Sequence, residues 1–329
     1  MISPSLPVFD DITAAAQRIE GLAVKTPLLE SQILNDRVSG RVLIKPENLQ
    51  RMGAFKFRGA YNMISRLNAD EWPGGVTTCS SGNHAQGVAE AARLCGLPAT
   101  IVMPADAPSL KLERTRRAGA EVITYDRDNE DREAIAARIA EERVAKFIPP
   151  YNSPDIIAGQ GTVGAELMRD AVERGAEPDA VLAPCGGGGL VSGVALAVKH
   201  LHPEAEVWAV EPEAFDDLAR SLESGQRECN ASNSGSICDA LLSPTPGELT
   251  FQIIQQLLAG ALLVSDDEVR EAIRFAFEEL KLVVEPGGAV ALAALLSGRF
   301  KADGRTVAII LSGGNIDGAH FARILTDTD

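Results

Sequence analysis

Long apolar runs are missing from this chain. No stretch of its 329 residues approaches the roughly 20 consecutive apolar residues of a membrane-spanning helix. The opening "MISPSLPVFDDITAAAQRIEGL" lacks a basic segment followed by an apolar core, so no secretory signal is expected. Positive charge is scarce: 31 Lys plus Arg stand against 46 Asp plus Glu, a formal charge of −15, with no basic stripe. That balance argues against nucleic acid and anionic membranes as partners. The five cysteines (79, 95, 185, 229, 238) are scattered without a CxxC, and the four histidines (84, 200, 202, 320) form no HExxH pair. A disulfide framework and a zinc site are therefore not expected, and a soluble protein of the reducing cytoplasm is. There is no internal repeat, no GxxxxGK[ST] phosphate loop and no GxSxG elbow, which removes ordinary nucleoside triphosphatases and α/β-hydrolases.

What is present is ordinary globular composition, 45% hydrophobic and 23% charged, arranged as alternating strands and helices. "RVLIKPEN", "GGVTTC", "PATIVMP", "EVITY", "AVLAPC", "EVWAVEP", "ALLVS" and "TVAIILS" read as strands. Amphipathic stretches such as "FKFRGAYNMISRL", "NHAQGVAEAARLCG", "DREAIAARIAEERV", "GTVGAELMRDAVERG" and "GLVSGVALAVKHLH" read as helices between them. Asp10 or Asp11 is expected near the N-cap of "FDDITAAAQRIEGL", and Asp266 or Asp267 at that of "DDEVREAIRFAFEELK". The alternation predicts an α/β fold of βαβ units on parallel sheets, in two lobes with a cleft between them. The lobe boundaries fall near 65 and 151: residues 1–64 with 152–329 form the large lobe, and 65–151 the small one.

Three Gly-rich turns each follow a strand, where ligands bind in parallel sheets. In "CSSGNHAQG" (79–87), Ser80, Ser81 and Asn83 lead into a helix whose positive end favours an anion; a plain capped turn reads almost as well. In "APCGGGGLVSG" (183–193), four consecutive glycines strip away side chains, which a mere turn does not require and a phosphate cradle does. Gly187, Gly189 and Gly193 with Glu211 also imitate a dinucleotide-binding unit, so an NAD(P)-dependent oxidoreductase stays open at this point. "LSGGN" (311–315) alone decides nothing. Lys56, between two phenylalanines in "GAFKFRG", is either a solvated surface lysine or one held in a semi-apolar pocket as a nucleophile. An aldehyde- and phosphate-bearing cofactor would employ the lysine, the cradle and the anion turn together.

The motifs "ENLQRMGAFKFRGAYN", "SSGNHAQG", "IAGQGT", "PCGGGGL", "VEPGGAVALAAL" and "LSGGN", in that order from about 45 to 315, resemble the serine/threonine dehydratase and serine racemase family. The resemblance implies the tryptophan-synthase β-like fold (fold type II) and pyridoxal 5′-phosphate as cofactor. It implies Lys56 as the Schiff-base lysine and base, Phe55 against the cofactor ring, and Asn83 on its 3′-oxygen. Gly186, Gly187, Gly188, Gly189 and Leu190 would hold the phosphate, and Ser312 would face the ring nitrogen. A serine there leaves the ring a weaker electron sink, which favours loss of a β-substituent over transamination. The substrate carboxylate would dock on Ser80, Ser81, Gly82, Asn83 and His84.

The resemblance further implies β-elimination from L-threonine or L-serine to a 2-oxo acid and ammonia, and a homodimer. Serine racemase and 3-hydroxyaspartate dehydratase are the alternatives. Ser81, alanine in many threonine dehydratases, is the second proton donor and acceptor in serine racemases. Glu211, the Phe215 carbonyl and Asp217 resemble the family's site for a divalent cation, Mg²⁺ or Ca²⁺. Glu285 matches a family glutamate, and Arg132 could reach a distal substrate carboxylate. The chain closes soon after "LSGGN", so no isoleucine-binding regulatory domain is expected.

Overall fold

The computed structural model describes residues 5–80, 82–107, 109–126, 129–232 and 234–326. Its strands are β1 (Leu29–Glu30), β2 (Arg41–Pro46), β3 (Val76–Cys79), β4 (Ala99–Pro104), β5 (Glu121–Tyr125), β6 (Lys146–Phe147), β7 (Ala180–Pro184), β8 (Glu206–Pro212), β9 (Gly260–Val264) and β10 (Thr306–Leu311). They form a six-stranded sheet in the order β1-β2-β10-β7-β8-β9 and a four-stranded sheet in the order β5-β4-β3-β6. All pairings are parallel except β1 with β2, which is antiparallel at the edge of the larger sheet.

β10 shows why parallel centre strands read as unbroken apolar runs. Its side chains alternate between faces, so Val307, Ile309 and Leu311 enter one core cluster and Ala308 and Ile310 the other. The helix Pro286–Leu296, "PGGAVALAALL", is buried over nearly its whole circumference and covers the first of those faces. The helices Pro154–Glu173 and Gly189–Leu201 cover the second. The smaller sheet carries the helices Lys56–Ile64 and Asn83–Cys95 on one face and Arg132–Arg143 on the other.

Of the two expected helix starts, the first is met and the second is corrected. The first helix, Phe9–Ile19, is N-capped by Val8, and Asp11 reaches back to accept the Val8 N–H at 2.9 Å. The helix Asp266–Glu278 is capped by Ser265, whose hydroxyl accepts the Glu268 N–H while Glu268 accepts the Ser265 N–H. In both, the acid occupies the first turn, where it meets the helix dipole, rather than the cap itself. The helix read from Gly161 begins at Pro154, because proline is well suited to the first helical position. Among the described residues no helix is long and apolar enough to cross a membrane.

Candidate active site

The carboxyl ends of both sheets face a cavity of about 880 Å³. β2 leads into it through two 3-10 turns and Phe55–Lys56, β3 through Ser80, β6 through Pro150 and Tyr151, β7 through the four glycines, and β10 through Ser312. The structure thus brings together Phe55, Lys56, Ser80, Gly82, Asn83, His84, Gly186, Gly187, Gly188, Gly189, Leu190 and Ser312 around one cavity. Ser81 lies outside the described residues.

Lys56 opens the helix Lys56–Ile64, and its Nζ donates to the Pro150 carbonyl at 2.7 Å. Burial pushes its ammonium down to about 8. The Phe55 ring lies beneath that amine, 5.3 Å from Nζ to the ring centre. His84 Nε2 is 3.0 Å from the Ile148 carbonyl, so it carries the ring proton and Nδ1 is a bare acceptor. Burial, reinforced by the Lys56 charge, pushes this imidazole down to about 3, and it stays neutral at physiological pH.

The glycine loop is shaped by what surrounds it. A Cβ on Gly187 would sit 2.3 Å from the Tyr151 ring, and Gly188 has a φ of +90°, which side-chain-bearing residues avoid. The Gly187 carbonyl is tied back by the Thr250 hydroxyl at 2.7 Å and the Gly247 N–H at 3.2 Å. The helix Gly189–Leu201 then starts with no side-chain cap, leaving first-turn N–H groups for an anion.

The sequence signature of the pyridoxal-phosphate dependent enzymes matches residues 19–313. The chain belongs to that family. It is 44% identical to an L-threo-3-hydroxyaspartate ammonia-lyase of Pseudomonas sp over 96% of this chain and 98% of that one. It is 42% identical to a serine racemase of Schizosaccharomyces pombe over 98% of each. A solved T.th. threonine deaminase superposes with a TM-score of 0.90 at 43% identity, covering 94% of this chain and 99% of that one. The mixed α/β architecture with helix-flanked parallel sheets is the fold-type-II one expected, and the lyase class goes with it.

The residues present fit the family's cofactor. A half-buried amine of lowered pKa, an aromatic floor beside it and an uncapped Gly-lined helix start are the three features an aldehyde, a pyridine ring and a phosphate require.

Several contacts at the site are not readable from the sequence. Asn83 is gripped from two sides: its Nδ2 donates to Glu285 at 2.5 Å, and its Oδ1 accepts from Asn315 at 2.8 Å. Asn315 Nδ2 also holds the carbonyl of Met52, whose φ of 62° makes a left-handed turn just before Phe55. Position inside "LSGGN" is the one available hint to Asn315. Tyr151 and Asn152 brace the glycine loop and the helix Glu248–Leu257, the latter by accepting the Leu249 N–H at 2.8 Å. Arg132 lines the cavity, as does Arg227.

Glu211, Phe215 and Asp217 stand apart from the cavity lining. The Glu211 carboxylate accepts the N–H groups of Leu218 and Ala219, and Asp217 accepts from Asn230 at 2.6 Å. Burial, with the neighbouring Asp217 carboxylate, holds Glu211 well above the usual range, and burial lifts Asp217 to about 6. Asp217 Oδ2 is buried without a hydrogen-bond partner. An oxygen-rich pair with one orphaned atom has the chemistry of a hard cation's ligands. Among the described residues, no group of three or more His, Cys, Asp or Glu side chains is placed to hold a metal, so such an ion would need the Phe215 carbonyl and water as well.

Proposed function

We propose that this chain eliminates water from a β-hydroxy-α-amino acid, L-threonine or L-serine, releasing a 2-oxo acid and ammonia. The observation that carries the reading is Lys56: a half-buried amine pushed down to about 8 by desolvation, sharing one cavity with a glycine cradle and an anion turn. Pyridoxal phosphate, when bound, supplies the electron sink that makes the Cα proton removable. Lys56 is its covalent anchor, Phe55 its ring floor, and Asn83 and Ser312 its partners at the ring oxygen and nitrogen. The N–H groups of Gly186 through Leu190 hold its phosphate.

Ser80, Ser81, Gly82, Asn83 and His84 receive the substrate carboxylate at the start of the helix Asn83–Cys95, where the dipole and free N–H groups favour it. Lys56 Nζ takes the Cα proton; an amine titrating near the working pH combines a free lone pair with useful basicity. His84, being neutral, adds no second charge to repel the lysine's proton. In the racemase alternative, Ser81 is the second proton donor and acceptor, opposite Lys56. Asp217, Glu211 and the Phe215 carbonyl take Mg²⁺ or Ca²⁺ as a structural ion. Residues 65–151 act as the small domain against 1–64 and 152–329, and the chain works as a cytoplasmic homodimer.

Arg132 favours a second reading, with 3-hydroxyaspartate as substrate, because its guanidinium in the cavity wall suits a distal carboxylate. The deciding experiment measures 2-oxo-acid and D-amino-acid formation from L-threonine, L-serine and both 3-hydroxyaspartate diastereomers, with Mg²⁺ or with EDTA. Fast oxo-acid release from threonine or serine supports the first reading. Activity confined to hydroxyaspartate moves it to the second, and D-serine as main product makes the chain a racemase.

A further inference from the structure

Two residues beyond Lys56, the fully buried Arg58 stands between two carboxylates. Its Nε and Nη2 donate to Glu47 at 2.7 and 2.8 Å, and its Nη1 and Nη2 donate to Glu166 at 2.7 and 2.8 Å. Nη1 also reaches the Thr162 hydroxyl at 3.2 Å. The buried Lys45 extends the cluster, with Nζ 2.9 Å from Glu166, 3.6 Å from Asp170 and 2.8 Å from the Thr26 carbonyl. Burial alone would raise Glu166, but Arg58 and Lys45 outweigh it and hold that carboxylate below its usual value.

Burying this many charges is a poor way to stabilise a fold, since well-packed apolar side chains often do as well or better. What a doubly forked guanidinium does supply is direction. Glu47 belongs to the turn that follows β2, and Glu166 and Thr162 to the helix Pro154–Glu173. That helix and Lys56–Ile64 cross in close contact: a Cβ on Gly159 would sit 2.6 Å from the Gly59 Cα, and Gln160 accepts the Gly59 N–H. Pro150, whose carbonyl binds the Lys56 amine, lies four residues before the start of the same helix.

We infer that Arg58 is a positioning residue, whose two carboxylate forks fix the helix carrying Lys56 relative to the Pro150 carbonyl that orients its amine. The inference rests on the reading of Lys56 as the reactive lysine. No atom of Arg58 needs to touch substrate; it acts by keeping the amine aligned on the Pro150 carbonyl at the cavity wall. A displacement of about 1 Å at such a group costs on the order of 100-fold in rate.

The test uses the full chain freed of cofactor and then given pyridoxal phosphate across a pH series. Only the unprotonated amine reacts, so the pH midpoint of the uptake rate reports Lys56. Wild type is expected to show a midpoint near 8. Arg58→Lys keeps the charge but loses the forks: its midpoint moves toward the ordinary 10.5 as water reaches the amine, and kcat falls about 100-fold. Its KM stays within about threefold of wild type. Asp170→Asn is the control, since Asp170 pairs with Lys25 and Lys45 in the same cluster and not with Arg58. It should lower thermal stability and leave the midpoint in place. If Arg58→Lys does not fold, Glu166→Gln, which weakens one fork, is read by the same shift.

An unchanged midpoint in Arg58→Lys, or an equal shift in Asp170→Asn, overturns the positioning role. Wild type that takes up no cofactor at Lys56 overturns the reading beneath it instead.

Discussion

Gly187→Ala is a single-methyl probe of the phosphate cradle. The new Cβ would lie 2.3 Å from Cε1 and 2.4 Å from Cδ1 and Cζ of Tyr151, well inside van der Waals contact. Either the ring turns away or the loop lifts, and overpacking of this kind costs about 1–3 kcal/mol. The Tyr151 ring is wedged between Gly187 and Gly247, where an added Cβ would also lie 3.0 Å from its Cδ2, so it has little room to turn and the loop is the side that lifts. Lifting it moves the N–H groups off the phosphate, so the dissociation constant for pyridoxal phosphate should rise roughly 5- to 150-fold. Absorbance titration of the cofactor-free chain measures this. Tyr151→Ala removes the obstacle, so the double variant should recover most of the loss, giving a coupling energy of about 1–3 kcal/mol in a double-mutant cycle. Tight binding by Gly187→Ala, or no recovery in the double variant, would refute the contact argument.

The remaining predictions concern charge, specificity and the cation. In the cofactor-free chain, Lys56 titrates near 8 when folded against 10.5 when unfolded, so between those values the unfolded state binds more protons and stability rises with pH. Lys56→Met should therefore melt higher than wild type below pH 8, and calorimetry should show the gap closing as pH approaches 10.5. Arg132→Gln should cut kcat/KM on 3-hydroxyaspartate by roughly 10- to 100-fold, the weight of a charged hydrogen bond, with L-serine little affected; equal losses on both would remove its distal-carboxylate role. Mg²⁺ should raise the melting temperature of wild type and EDTA lower it, while Asp217→Asn should respond to neither, as linkage to a cation at 211–217 requires.

Legibility tracks the range over which each interaction acts. "EVITY" and "EVWAVEP" are β5 and β8 to the residue, because apolar strands bounded by turns need no knowledge of partners. β1 and β6, two residues each, carry no pattern of their own and exist through register with β2 and β3. The helix Asp217–Ser224 is too short to announce itself by period behind its acidic start, though its small apolar face packs Leu218 into the core. At the site, Lys56 and the glycines are visible because chemistry dictates their type. The grip of Glu285 and Asn315 on Asn83 spans 202 and 232 residues, and no local pattern encodes it. Arg58 is legible as a residue but not as a fork, since Glu47 and Glu166 lie 11 and 108 positions away.

The most direct measurement of the central claim is borohydride reduction of the purified holoenzyme followed by peptide mass mapping. The holoenzyme should be yellow, its colour should bleach, and the pyridoxyl label should fall on the peptide containing Lys56, with Lys56→Ala unlabelled and without turnover. A label on another lysine, or elimination retained by Lys56→Ala, would contradict that claim.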